Sequence, residues 1–244
     1  TKENLDPAKC RACFMPYASC LSDEQIALLR DYVQRGGTLV ADGRIGMMTG
    51  DGKLRPDRPL DALFGVKSEA GLAAFKRDSA PGKVALSGTI PGTATPLQIE
   101  AFDTTLLEPG LRVTTGTALG KSGDTPVLVV NTVGAGRTVL LNMPLTPIST
   151  DRTKPGLQPQ EQIVRTILQS AGLQPPATVT AADGQLPLCL NTVSYREGAL
   201  RYLAIMQDFR VRGLPEQSLH IKLPAPAYVY DVRAGKMLFK GQGQ

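Results

Sequence analysis

Asp42-Gly43-Arg44 is the polar group best placed for chemistry in this sequence. It follows directly on the apolar run Thr38-Leu-Val-Ala41, and ligands of parallel α/β sheets gather at the carboxyl ends of strands. A carboxylate, a glycine and a guanidinium in succession can hold a polar ligand or meet a neighbouring subunit. They can equally close a turn through a local Asp–Arg pair. Cysteines offer a second chemistry. Cys10-Arg-Ala-Cys13 has zinc-knuckle spacing, but a zinc site needs a second pair of ligands. Cys20 is one candidate, and the lone histidine, His220, lies far along the chain. The same segment also reads as a buried strand, Cys10-Arg-Ala-Cys-Phe-Met15 stopped by Pro16, in which thiols act as small hydrophobes. No metal site and no cofactor are expected.

Several motifs are approached and missed. Gly116-Thr-Ala-Leu-Gly120-Lys121-Ser122 has three residues between its glycines where a phosphate loop needs four, and it leads into a strand instead of a helix. It reads as a hairpin turn. Gly134-Ala-Gly136 carries two glycines of a dinucleotide fingerprint without the third, and it too precedes a strand, so no helix N-terminus would face a pyrophosphate. Gly120-Lys-Ser122-Gly123-Asp124 has Asp where a nucleophile elbow ends in Gly. Any Ser-His or Cys-His pair must use His220, which alternates outward in Leu219-His-Ile-Lys-Leu223. No catalytic set can be assembled. Paired carboxylates depend on spacing in three dimensions and are left open by the sequence.

The 244 residues are 42 % apolar and 20 % charged, which excludes a disordered chain. No apolar stretch approaches the roughly 18 residues of a membrane span. Lys and Arg number 27 against 22 Asp and Glu. The basic residues are scattered, with small clusters at Lys76-Arg77 and Arg210-Val211-Arg212. Without a basic stripe, and with no Trp, six Tyr and six Phe, nucleic-acid binding is not expected. The sequence assigns no compartment.

The elements that position these residues are well marked. Ser22-Asp-Glu-Gln25 is a capping box. Ile26, Leu29, Tyr32 and Val33 share a helical face, and Gly36-Gly37 ends the helix. Strand 10–15, helix 22–35 and strand 38–42 form one right-handed βαβ unit with parallel strands. From 84 to 145 the pattern turns to β: Val84–Ile90, Leu97–Phe102, Leu111–Thr115, Pro126–Val130 and Thr138–Leu141, the last two joined as a hairpin across Val133-Gly-Ala-Gly136. Residues 146–159 read as an exposed loop. A second helix follows, with Ile163, Val164, Ile167, Leu168 and Ala171 on one face, ended by Gly172 and Pro175-Pro176. The remainder reads as short strands at Val179, Leu188–Val193, Leu200–Met206, Leu219–Leu223, Tyr228–Val232 and Met237–Phe239. Two domains are expected: an α/β domain over 1–174 and a small antiparallel β domain over 175–244.

Pro16–Glu24, Leu29–Gly46 and Pro59–Val66 together resemble the trimerisation domain of β-galactosidases in glycoside hydrolase family forty-two. Val133-Gly-Ala-Gly-Arg137-Thr-Val-Leu-Leu141-Asn resembles a late hairpin of that domain, and Ala199–Met206 onward is similar to the small C-terminal domain of the same enzymes. The resemblance implies a flavodoxin-like, class I glutamine amidotransferase-like three-layer fold that lacks its first elements, carries an inserted β-rich segment and is followed by the small β domain. The catalytic carboxylates of that family sit in a barrel, which needs about 200–250 residues of its own. The chain is therefore expected to be the C-terminal part of a longer protein, a non-catalytic accessory or oligomerisation region. Expected partners are a second copy or a glycoside-hydrolase barrel, with a sugar as ligand. The alternative is a stand-alone carbohydrate- or ligand-binding protein. Because no cysteine here sits on a strand–helix elbow, glutaminase activity is not implied.

Overall fold

The computed structural model describes residues 5–68, 82–104, 107–143, 159–208 and 211–241. The proposed loop 146–159, apart from Pro159, and the cluster Lys76-Arg77 fall outside them; of Arg210-Val211-Arg212, Val211 and Arg212 are described, and Arg212 is exposed. The described residues group into two compact units, divided between Leu173 and Gln174.

The first unit holds β1 (Ala12–Met15), α1 (Asp23–Gln34), β2 (Thr38–Asp42), α2 (Asp61–Phe64), β3 (Val66–Ser68), β4 (Lys83–Gly88), β5 (Leu97–Asp103), β6 (Leu111–Val113), β7 (Thr117–Ser122), β8 (Thr125–Val133), β9 (Gly136–Leu141) and α3 (Pro159–Ser170). A mixed five-stranded sheet runs in the order β1-β2-β9-β8-β7. β1, β2 and β9 are parallel, β8 runs antiparallel to β9, and β7 is in turn antiparallel to β8.

Every residue of β2 is buried. Leu39 and Ala41 enter a core with Ile26, Leu29, Tyr32 and Val33 of α1, while Val40 enters a second core with Phe102 of β5 and Ile163 and Ile167 of α3. β9 repeats the alternation, with Leu140 in the first core and Val139 and Leu141 in the second. The sheet thus separates two apolar layers, which is why β2 reads as a continuous apolar run.

The capping box forms as expected: Gln25 N donates to Ser22 Oγ and Ser22 N to Gln25 Oε1. At the other end of α1 two close approaches need glycine. A Cβ on Gly37 would stand 2.3 Å from Tyr32 Cζ, and one on Gly136 would stand 2.1 Å from Val33 O. The Tyr32 hydroxyl donates to Cys10 O at 3.0 Å and lies 3.3 Å from Thr38 O. Burial raises its pKa well above the ordinary phenol value.

Three local expectations are corrected. Residues 117–122 form β7, and only Gly123-Asp124 makes the turn, with Gly123 at φ +57. Gly120 is tolerated in this strand because Leu86 of β4 packs against the space a Cβ would fill. The first strand begins at Ala12, not Cys10, because residues 6–10 close a turn in which Lys9 and Cys10 both donate to Asp6 O. On α3, Thr166 and Ser170 are buried beside Ile163 and Ile167, while Val164, Leu168 and Ala171 are half-buried. The two hydroxyls bond back to Gln162 O and Ile167 O, which satisfies them within the helix.

The second unit is built of two-stranded antiparallel pairs. β10 (Thr178–Ala181) pairs with β13 (Leu219–Lys222), β11 (Leu190–Glu197) with β12 (Leu200–Gln207), and β14 (Ala227–Asp231) with β15 (Lys236–Gly241). His220 lies exposed on β13, opposite Thr180.

Gly37→Ala is expected to destabilise the protein by about 1–3 kcal/mol, because a fully buried tyrosine ring must move. Urea unfolding followed by far-UV circular dichroism measures it, and a midpoint equal to wild type would contradict the packing described.

Candidate functional site

β2 and β9 are adjacent and parallel, with Asp42 paired in register to Leu141. Their carboxyl ends therefore deliver Asp42 and Asn142 to one place. Asp42 is buried and its Oδ2 accepts the Tyr17 amide at 2.9 Å. Gly43 and Arg44 begin the turn that follows.

The structure brings in residues that the sequence did not connect with this turn. Arg44 Nε lies 3.5 Å from Glu108 Oε2, and Arg58 Nη2 lies 2.6 Å from Glu108 Oε1. Arg58 Nη1 is 3.5 Å from Gly43 O. The Asn142 amide donates to Glu108 O at 2.9 Å and to Pro126 O at 3.0 Å. One carboxylate, in the β5–β6 connection, is thus shared by two guanidiniums of the β2–α2 connection. The Glu108 and Arg58 side chains are only 10 % and 12 % exposed, so most of their hydration is lost and the pairing must replace it. Arg44 is more open, at 30 %.

Glu108 sits in the turn Leu107-Glu-Pro-Gly110, and nothing in its spacing links it to Arg44. Asn142 could have been found, because it follows an apolar strand just as Asp42 does. Asp61 opens α2, and its Oδ2 accepts Ser68 N at 2.7 Å. Burial raises the Asp61 pKa above its ordinary 3.8, opposed by the Ser68 bonds and Arg58 and reinforced by Glu108.

This arrangement can orient and neutralise charge. Among the described residues no group of three or more His, Cys, Asp or Glu could hold a metal ion. Cys10, Cys13, Cys20 and Cys189 form no disulfide. Cys10 Sγ donates to Ala12 O, and burial, then Cys10, raises the Cys13 pKa, which disfavours the nucleophilic thiolate. No helix among the described residues is long and apolar enough to cross a membrane.

Two outcomes follow. Glu108→Ala leaves Arg58 buried without its carboxylate and is expected to cost about 3–5 kcal/mol in urea unfolding. For Asp61 the native state binds the proton more tightly than the unfolded chain does. Its favourable contribution is complete below pH 3.8 and is lost as pH rises through the raised value. Asp61→Asn should therefore gain stability relative to wild type between pH 3 and pH 7, as read from paired melts. An unchanged difference would contradict the burial argument.

No family model matches the sequence, and no curated protein matches it. Solved structures do. A β-galactosidase from Bacillus circulans sp. alkalophilus superposes with a TM-score of 0.62 at 14 % identity, covering 98 % of this chain and 32 % of that one. Gan42B, a GH42 β-galactosidase from G. stearothermophilus, gives 0.63 at 15 % identity, over 100 % of this chain and 31 % of its own. The cold-adapted β-galactosidase from Rahnella sp. R3 gives 0.61 at 15 % identity, over 96 % and 30 %. The chain therefore spans about a third of the length of these enzymes and shares the fold of that part.

Proposed function

We propose that this chain is a non-catalytic accessory region of a glycoside hydrolase of the β-galactosidase type. In this reading its first unit is flavodoxin-like, of the amidotransferase-like trimerisation kind, and it works by docking onto a catalytic barrel or a second copy. The carrying observation is the likeness to three β-galactosidases over nearly the whole chain but only 30–32 % of theirs. The site supports the reading, because Glu108 is engaged by Arg44 and Arg58 and presents no obvious acid or base to a substrate. Asp42, Gly43 and Arg44 are the proposed contact residues, with Arg44 the most accessible charge.

One observation favours the alternative, a carbohydrate-binding module. Tyr195 and Tyr202 face each other across β11 and β12 and are 64 % and 42 % exposed. Flat aromatic surfaces of this kind can stack on sugar rings.

The test combines aryl β-galactoside hydrolysis, sedimentation velocity and calorimetry with galactosides on the purified chain. No turnover together with self-association is expected. Turnover that tracks a side chain of this chain would overturn the accessory reading. Sugar binding by the monomer, abolished by Tyr202→Ala, would replace it with the second.

A further inference from the structure

Two buried acceptors in the Glu108 cluster lack a hydrogen-bond donor. Asn142 has no exposed surface, and its Oδ1 bonds to nothing. Its orientation is fixed, because Nδ2 must face the carbonyls of Glu108 and Pro126. Glu108 Oε1 is taken by Arg58, while Oε2 makes no hydrogen bond and has Arg44 Nε only at 3.5 Å. Leaving such atoms dry in the interior is costly, and native structures fill these positions with ordered water when protein donors are lacking.

Both oxygens converge beside Gly43. A Cβ placed on that residue would stand 3.1 Å from Asn142 Oδ1 and 3.5 Å from Glu108 Oε2. Gly43 does not have the left-handed backbone that would require glycine. The missing side chain, and not the backbone angle, is what keeps this space clear.

We propose that one buried water molecule occupies the space beside Gly43, donating one hydrogen to Asn142 Oδ1 and the other to Glu108 Oε2. A molecule with two donors matches two acceptors. A neutral donor is favoured over ammonium, because Glu108 already faces two guanidiniums and a further cation would be repelled. The water joins the end of β9 to the 107–110 turn and holds the carboxylate that Arg44 and Arg58 share. It thereby sets the position of the candidate contact turn, whether or not that turn meets another domain.

The experiment is a high-resolution crystal structure of the wild-type chain, with thermal melts of Gly43→Ala and Gly43→Ser. Wild type should show a density peak within about 3.2 Å of both oxygens. Gly43→Ala should lack it, since the methyl group takes the space and supplies no donor. Gly43→Ser supplies a hydroxyl at the same place and should melt roughly 2–4 °C above Gly43→Ala. Both variants add a Cβ, so their difference is free of the general effect of replacing glycine. No peak in wild type, or a direct protein donor on both oxygens, would overturn the proposal even if neither variant folds. Stabilisation by ammonium chloride beyond that by sodium chloride at equal ionic strength would overturn the assignment to water.

Discussion

β2 carries hydrogen bonds on both edges and apolar contacts on both faces, and the rest of the first unit is arranged around that. A parallel strand cannot be reached through a tight turn, so the chain must leave β1, cross the sheet and return. α1 makes that crossing, and its inner face supplies Ile26, Leu29, Tyr32 and Val33 to cover Leu39 and Ala41. The opposite face of β2 exposes Val40 and needs its own cover, which α3 and the β4–β5 hairpin provide. The interior position of β2 also forces Asp42, its last residue, to be buried. The Tyr17 amide meets that demand at one oxygen. A charge cluster at the strand ends is therefore a consequence of where the sheet terminates.

Close packing of α1 on the sheet depends on two missing side chains. Gly37 lets the chain turn directly over the Tyr32 ring, and Gly136 lets the β8–β9 hairpin lie against the last carbonyls of the helix. The adjacent Arg137 then reaches Pro91 O and Ser170 O, tying the same hairpin to the opposite layer. Gly136 and Arg137 of the short motif Gly-Ala-Gly-Arg thus link the sheet to both layers, one through an absent side chain and the other through a long one. None of this requires a bound phosphate, although the glycine spacing resembles phosphate-binding loops.

The sequence made α1, β2 and the β8–β9 hairpin legible because each is specified locally. A capping box, an apolar run between glycines and a tight turn all act within a few residues. β7 was hidden because Gly120 breaks the strand pattern, and its tolerance depends on Leu86 from another hairpin. α3 was found, but two hydroxyl residues on its buried side were not, since bonding back to the helix carbonyls leaves no trace in hydrophobic spacing. The site divides in the same way. Asp42, Gly43 and Arg44 could be singled out by their position after a strand. Glu108 and Arg58 could not, because their meeting is set by two loops whose courses no periodicity encodes.

The second unit follows a different energetic logic. Among its described residues only Val179 and Cys189 are buried apolar side chains. Its strands pair two by two, and an isolated hairpin is marginal in water. In β11–β12 the register places Tyr195, Leu200, Tyr202 and Met206 on one face, and all four are exposed. Strand pairing satisfies the backbone but leaves this apolar surface in water, where it contributes nothing to stability. Clustering on one face distinguishes it from the single exposed apolar residues common on protein surfaces.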